Sequence, residues 1–298
     1  MPFGLCNAPG MFQHYMNDMF QDFLDEFLVV YLDNMLIYSD NLKEHRKHMR
    51  KVLERLRDAG LFLKPSKCEF YIQKVEVLGS VIGPEGVRMD PAKVESVMAW
   101  PTPRSPHDIR MFQGLANFYR WFIKNFSQLA APLTRLLKKE NMTKKLSWNK
   151  EAQAVFEGLK TAFLMAFILM HFNPEQPTIL EADASTHVLG VVISQWDAER
   201  KINPIAFHSR KFNSTELNYD IYNKEMLAII DSLKHYRHIF EGLGQQITIY
   251  LDHLDLLWFM ETKVYNRRQA RWAEKLAKYD FVIYFHPEMQ GEKPDTLF

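Results

Sequence analysis

From residue 178 onward the chain alternates short aliphatic runs with long amphipathic ones, and that order constrains the fold more than any other feature. Strand-like runs occupy 178–182, 188–194 and 203–208, each closed by a short turn. A long helical pattern covers 216–240, followed by a strand at 247–251, a helix at 267–278 and a strand at 281–285. In the long helix Tyr222, Met226, Ile229, Leu233, Tyr236 and Phe240 recur at spacings of four and three, one continuous apolar stripe. Strands and striped helices in this order bury their apolar faces by stacking in layers, so this half predicts an α/β layered domain.

The upstream half reads differently. Phe12, Met16, Met19, Phe20 and Phe23 fall at helical spacing within 12–27. Two apolar runs, 27–32 and 35–38, flank Asp33-Asn34 and predict a tight β-hairpin. An amphipathic helix follows at 44–59 with Gly60 as its stop. Residues 75–89 predict a second hairpin turning at 83–86. Between 91 and 145 the pattern is helical, with Asp90-Pro91 and Ser105-Pro106-His107-Asp108 as start signals. The polar stretch 138–145 reads as a linker or as a solvated loop, and from Trp148 a new helical pattern covers 150–163.

The 298 residues suggest about two domains. With 47% hydrophobic and 24% charged residues, the chain is neither disordered nor collagen-like. A formal net charge of +1 gives no long-range pull on a polyanion, so any basic surface has to be local. Cys6 and Cys68 are too few for a disulfide framework and lack metal-ligand spacing, which makes a reducing compartment the default. The longest apolar run, 163–172, has about half the length of a membrane span, and no secretory signal pattern is seen at the start. No membrane partner is expected.

Several acids sit where the apolar pattern disfavours them. Asp33 at a hairpin tip is either ordinary turn chemistry or a rigidly held metal carboxylate. Alternation places Ile179, Glu181 and Asp183 on one strand face, and Asp252 ends another strand. Glu225 lies roughly 40° from Ile229 and 20° from Tyr236 around the helix, at about 100° per residue. That is the buried edge of the stripe, where an uncompensated carboxylate is costly. Gathered together, these acids would make a hard oxygen site suited to Mg²⁺; taken singly, Asp183 and Asp252 are caps and Glu225 is a solvated edge residue. Arg268, Arg271, Lys275 and Lys278 form a cationic stripe, either a solvated face or a phosphate track. Phe118-Tyr119-Arg120-Trp121-Phe122 fits a nucleic-acid grip as well as a helix core with a snorkelling Arg.

Motifs along the whole chain resemble the reverse transcriptase–RNase H region of Gypsy-type LTR retrotransposon polyproteins. Met1-Pro-Phe-Gly-Leu-Cys-Asn-Ala-Pro9 with Phe12-Gln13 resembles the template-positioning motif, and Tyr31-Leu-Asp-Asn34 the YxDD box. Ala59-Gly-Leu61, Lys67-Cys-Glu-Phe70 and Leu78-Gly79 resemble the later palm and primer-grip motifs. Gly114-Leu-Ala-Asn-Phe-Tyr-Arg120 with Phe122-Ile123 and Phe126 resembles the thumb. Glu181-Ala-Asp-Ala-Ser185, Lys224-Glu225, Asp252-His253, Asn266-Arg-Arg-Gln-Ala-Arg-Trp272 and Pro294-Asp295 are similar to the RNase H landmarks.

The resemblance implies an α/β and α+β architecture: a partial palm over 1–90, a helical thumb over 91–145, and an RNase H-like domain with a mixed five-stranded sheet over 146–298. It implies Asp183, Glu225, Asp252 and Asp295 as catalytic ligands of two Mg²⁺ ions, with Mn²⁺ as a substitute. These would cleave the RNA strand of an RNA–DNA hybrid. Asp33 is the implied catalytic metal ligand of the palm. Gln13, Arg120, Arg267, Arg268 and Arg271 are the implied nucleic-acid contacts. The family's second YxDD acid is Asn34 here, which loses a charge in a site where charge sets Mg²⁺ affinity. The fingers, the first palm acid and the helix anchoring Asp295 are expected to be missing, and DNA synthesis by this chain alone is expected to be lost. A relic that only binds nucleic acid is the alternative. Other parts of the polyprotein, or a second copy, are the implied protein partners.

Overall fold

The computed structural model describes residues 4–137, 148–251 and 267–285, in two compact units, Met1–Gln73 and Lys74–Phe298. The proposed linker at 138–145 lies outside the described residues.

In the first unit α1 (Ala8–Met19) opens with proline in its first turn, where the missing N–H is not needed. The helix stops well short of the apolar pattern that suggested it. It ends at Met19, and Phe20, Phe23 and Phe27 are carried by successive turns in which Asp25 takes a φ of 63°. They pack with Met16, with Leu28 and Val30 of strand β1 (Leu28–Tyr31), and with Val52 and Leu56 of helix α2 (Leu42–Asp58). Asn41 caps α2, its side chain accepting from Glu44 N at 3.0 Å. Strand β2 (Asn34–Ile37) pairs antiparallel with β1.

The second unit begins with a meander, β3 (Val75–Val77), β4 (Ser80–Gly83) and β5 (Gly86–Met89), rather than the single hairpin the sequence suggested. Leu78 and Gly79, at φ 51° and 77°, make an additional two-residue turn of the primed kind that matches strand twist. Val87 exchanges backbone hydrogen bonds with Leu169 at 2.7 and 2.8 Å. The longest apolar run is therefore a seam holding the meander, and no described helix is long and apolar enough to cross a membrane.

Next come α3 (Pro91–Met98), α4 (Pro106–Phe118), a 3-10 turn (Arg120–Phe122), α5 (Phe126–Leu129), α6 (Ala131–Leu136) and α7 (Lys150–Leu164). Asp90, the Ser105–Asp108 capping box and Asn149 start α3, α4 and α7. Buried Lys160 donates to Met98 O and Trp100 O at 3.1 and 2.7 Å, satisfying carbonyls at the end of α3.

The sheet that follows has the order β10-β9-β6-β7-β8. It comprises β6 (Thr178–Ala184), β7 (Val188–Trp196), β8 (Ile202–Lys211), β9 (Ile247–Leu251) and β10 (Phe281–Phe285). Strands β6, β7 and β8 are antiparallel, and β9 is parallel to both β6 and β10. Leu180, Ala182 and Ala184 meet α8 (Ile221–His235) on one face, in a core that also holds Trp272 and Leu276 of α10 (Arg267–Leu276). Val192 and Phe207 join the helical core of Phe112 and Phe156 on the other face. The expected 216–240 helix is three pieces. Residues Glu216–Asn218 form a 3-10 turn closed by Asn213, α8 follows, and α9 (Arg237–Phe240) resumes beyond Tyr236.

Strand β8 is a sheet edge, and helical residues cover it. Arg120 donates to Ser209 O and, at 2.8 Å, to Ser127 Oγ. Ser127 Oγ donates to Ser209 O at 2.9 Å, and Ser127 N to Ser209 Oγ at 3.0 Å. Met170 N takes Pro204 O at 2.8 Å. Edge carbonyls that would otherwise invite a foreign strand are thereby occupied.

Two predictions follow from this packing. A Cβ on Gly86, at φ 127°, would stand 2.2 Å from Leu169 O, whereas nothing lies within 4 Å of one on Gly114 in α4. Gly86→Ala should lower urea-unfolding stability by about 2–4 kcal/mol, while Gly114→Ala should raise it by about 0.5–1 kcal/mol. Arg120→Met should cost about 1–3 kcal/mol of stability by stranding buried seam acceptors, without weakening hybrid binding by the folded protein. Weakened binding at full stability would put Arg120 on the nucleic acid instead.

Candidate active site and nucleic-acid interface

Strand register moves the hairpin tip by one residue from the sequence expectation. Tyr31 pairs with Asn34, so Leu32 and Asp33 form the turn and Asn34 belongs to β2. Leu32 takes a φ of 52°, an uncommon conformation for a branched side chain that surrounding contacts have to impose. Gln13 of α1 imposes it. Leu32 N donates to Gln13 Oε1 at 2.6 Å, and Gln13 Nε2 donates to Val30 O at 3.1 Å and to Asn17 Oδ1 at 2.7 Å. Gln13 thus clamps the turn that presents Asp33, and both Asp33 and Asn34 are exposed. No sequence signal predicted this pairing, because it joins residues 19 apart through a backbone amide.

In the second unit Asp183 stands near the end of β6, exposed and opposite Gly190 of β7, which is opposite Ser209 of β8. Alternation sends Asp183 to the face away from Ala182 and Ala184. A Cβ on Gly190 would lie 2.7 Å from Asn125 Oδ1, so the carboxamide of Asn125 occupies the space over this row. Asn125 itself has a φ of 54° and does not use its side chain to cap α5. Glu225 is 1% exposed on α8, which packs against β6 and β7. Tyr250 of β9 lies beside Glu181, and the described part of that strand ends at Leu251. Asp252 and Asp295 lie outside the described residues. Among the described residues no three His, Cys, Asp or Glu side chains form a metal-sized cluster.

A polar network secures α8 beneath this site. Asp231 meets His208 Nε2 and Arg210 Nε, each at 2.9 Å, while Arg210 grips Glu216 at 2.7 and 3.1 Å. Burial pushes the carboxyls of Asp231 and Glu216 up, but these cationic and hydrogen-bonding partners more than offset it and hold both below the ordinary range.

The candidate cations divide by environment. Burial lowers the pKa of Arg120, whose guanidinium lies in the β8 seam. Arg268 stacks over Tyr219 at 4.0 Å and Trp272 at 5.2 Å, anchoring α10. Arg267, Arg271 and Lys275 are exposed on α10, and Lys278 is exposed just after it.

Comparison with known proteins gives a consistent picture. Residues 1–82 match the reverse transcriptase (RNA-dependent DNA polymerase) family model, and residues 173–279 match the RNase H-like domain found in reverse transcriptase. The Transposon Tf2-7 polyprotein of Schizosaccharomyces pombe is 35% identical over 299 residues, covering 100% of this chain and 22% of that polyprotein. The Tf2-3 polyprotein is 34% identical over the same span. The chain thus spans about a fifth of these relatives, at 22% of their length. The foamy viral protease-reverse transcriptase dRH in complex with ds DNA superposes with a TM-score of 0.80 at 24% identity, over 99% of this chain and 51% of that one. The foamy viral enzyme in complex with RNA/DNA hybrid gives 0.77 at 24%, over 98% and 40%. These structures share the fold. The chain belongs to the reverse transcriptase–RNase H region of Gypsy-type LTR retrotransposon polyproteins.

Proposed function

We propose that the RNase H-like domain cleaves the RNA strand of RNA–DNA hybrids in a Mg²⁺-dependent reaction. In this reading residues 1–90 are palm, 91–145 thumb and 146–298 the nuclease. The observation that carries it is Glu225, a carboxylate 1% exposed in a helix packed on the strand that carries Asp183. A protein interior tolerates such a group when it serves a cation or a tight hydrogen-bond set.

The donors fit a hard divalent ion, since every candidate ligand is a carboxylate. Asp183 and Glu225, with Asp252 and Asp295, would hold it. A bound Mg²⁺ pair would make an attacking hydroxide available and offset charge on the leaving 3′ oxygen. The chain's own contribution is positioning. The sheet row Asp183–Gly190–Ser209 is fixed from the helical side, and the Arg210–Asp231–His208 network fixes α8 from the other. Exposed Arg267 and Arg271 supply backbone contacts to the hybrid.

The polymerase reaction is the weaker half of the proposal. The tip held by Gln13 presents one carboxylate, Asp33, where the family pattern has two, so ion affinity there falls.

Asp183→Asn and Glu225→Gln should each reduce Mg²⁺-dependent hybrid cleavage by roughly a hundredfold or more, with hybrid binding in EDTA retained. Equal background rates in wild type and both variants would end the nuclease reading and leave binding alone. At the palm, Asn34→Asp introduced into the polyprotein should raise primer extension about tenfold and lower the Mg²⁺ concentration it needs. Unchanged extension would remove Asn34 from the account.

A further inference from the structure

Helix α2 carries a charge pattern that neither the palm chemistry nor the nuclease uses. Over Leu42–Asp58 it holds seven Lys and Arg against three acids, in a chain whose formal charge is only +1. The cations fall into two groups. Lys51 lies over the rings of Phe23 and Phe27 at 6.0 and 5.7 Å, and Arg55 joins Asp22 and stacks on Phe23 at 4.0 Å. Those two fasten the helix to its own core.

The others point away. At about 100° per residue, Lys43, Arg46, Lys47, Arg50 and Arg57 occupy an arc roughly 100° wide, centred opposite buried Val52 and Leu56. All five are exposed. Arg57 meets its neighbour Asp58 at 3.3 Å. Among the described residues Lys43, Arg46, Lys47 and Arg50 make no ion pair. They also repel one another, because Lys43/Lys47 and Arg46/Arg50 are four apart and Lys43/Arg46 and Lys47/Arg50 three apart. Each such pair weakens a helix by a few tenths of a kcal/mol. A solvated face kept for solubility would interleave acids; this one places a single acid, Glu54, within the arc.

We infer that this face of α2 is a phosphate-backbone track, binding a nucleic-acid strand through charge and without reading sequence. The dimensions suit it. Lys43 to Arg50 spans about 10 Å of helix axis, close to three backbone steps of about 3.4 Å. Because the chain as a whole is nearly neutral, salt-sensitive affinity has to arise from such local surfaces. The track uses none of the candidate carboxylates and does not depend on cleavage.

The test uses the full chain and a fluorescein-labelled RNA–DNA hybrid in EDTA, with anisotropy titrations across a salt series. Lys47→Gln combined with Arg50→Gln should weaken binding roughly tenfold at about 100 mM salt and flatten the log–log salt slope by about 2. The same variant should melt at or above the wild-type temperature, since repulsion has been removed, which separates lost contacts from lost folding. A folded double variant with unchanged affinity and slope would overturn the track, whatever the cleavage assay shows. So would binding of poly-glutamate by wild type, lost in the variant, with hybrid binding unaffected, because the face would then serve an acidic protein.

Discussion

Strand β8 is fastened on both of its faces, and the architecture of the second unit depends on it. On one side Ser209 is held by Arg120 and Ser127. On the other, His208 and Arg210 reach Asp231 of α8. Since β8 is the edge of the sheet, these contacts do three things together. They occupy edge carbonyls, join the 106–137 helices to the sheet, and set the height of α8 above it. Hydrogen bonds to charged groups contribute about 1.5–3 kcal/mol each, so this seam rivals an apolar contact of similar size while also fixing direction.

Direction matters because of what shares the row with Ser209. Gly190 and Asp183 follow it across the sheet, and the absent side chain at Gly190 is what lets Asn125 settle there. A segment assigned by resemblance to the thumb is therefore seated over Gly190 of β7, the strand paired with the one that carries the candidate acid Asp183. Movement of that segment would be felt at Asp183 through packed backbone, a stiffer route than a loop could provide.

The order of elements in the C-terminal half was legible because each announces itself by period: β6 to β8 by aliphatic runs, α8 by its stripe. What the sequence hid were events decided by single backbone angles. Asp25 at φ 63° lies within the turns that follow α1, Leu78 adds a strand, and Leu32 shifts the hairpin turn from Asp33-Asn34 to Leu32-Asp33. Leucine is a poor former of left-handed backbone, so propensity argues against Leu32 and Leu78, and for Leu32 the Gln13 clamp reverses it. Glu225 was visible by the opposite logic, as a charge inside an apolar stripe. The Arg120 ambiguity could not be settled from pattern, because a gripping and a packed arginine leave the same residues in the same order.

Charge is distributed unevenly in consequence. Of the acids with candidate metal roles, Glu225 is buried in α8, where the field of a carboxylate is least screened, while Asp33 and Asp183 are exposed. The cations that could meet a polyanion are instead on the solvent faces of α2 and α10, where their field reaches only about 8–10 Å in physiological salt. Such a layout separates two tasks that would conflict if combined. Cations beside Asp183 and Glu225 would compete with a divalent ion for the carboxylates, whereas exposed cations on separate helix faces can hold a phosphate backbone without that competition. With 37 basic and 36 acidic residues the chain is nearly neutral, so nucleic-acid affinity becomes a property of particular helix faces rather than of the protein's net charge.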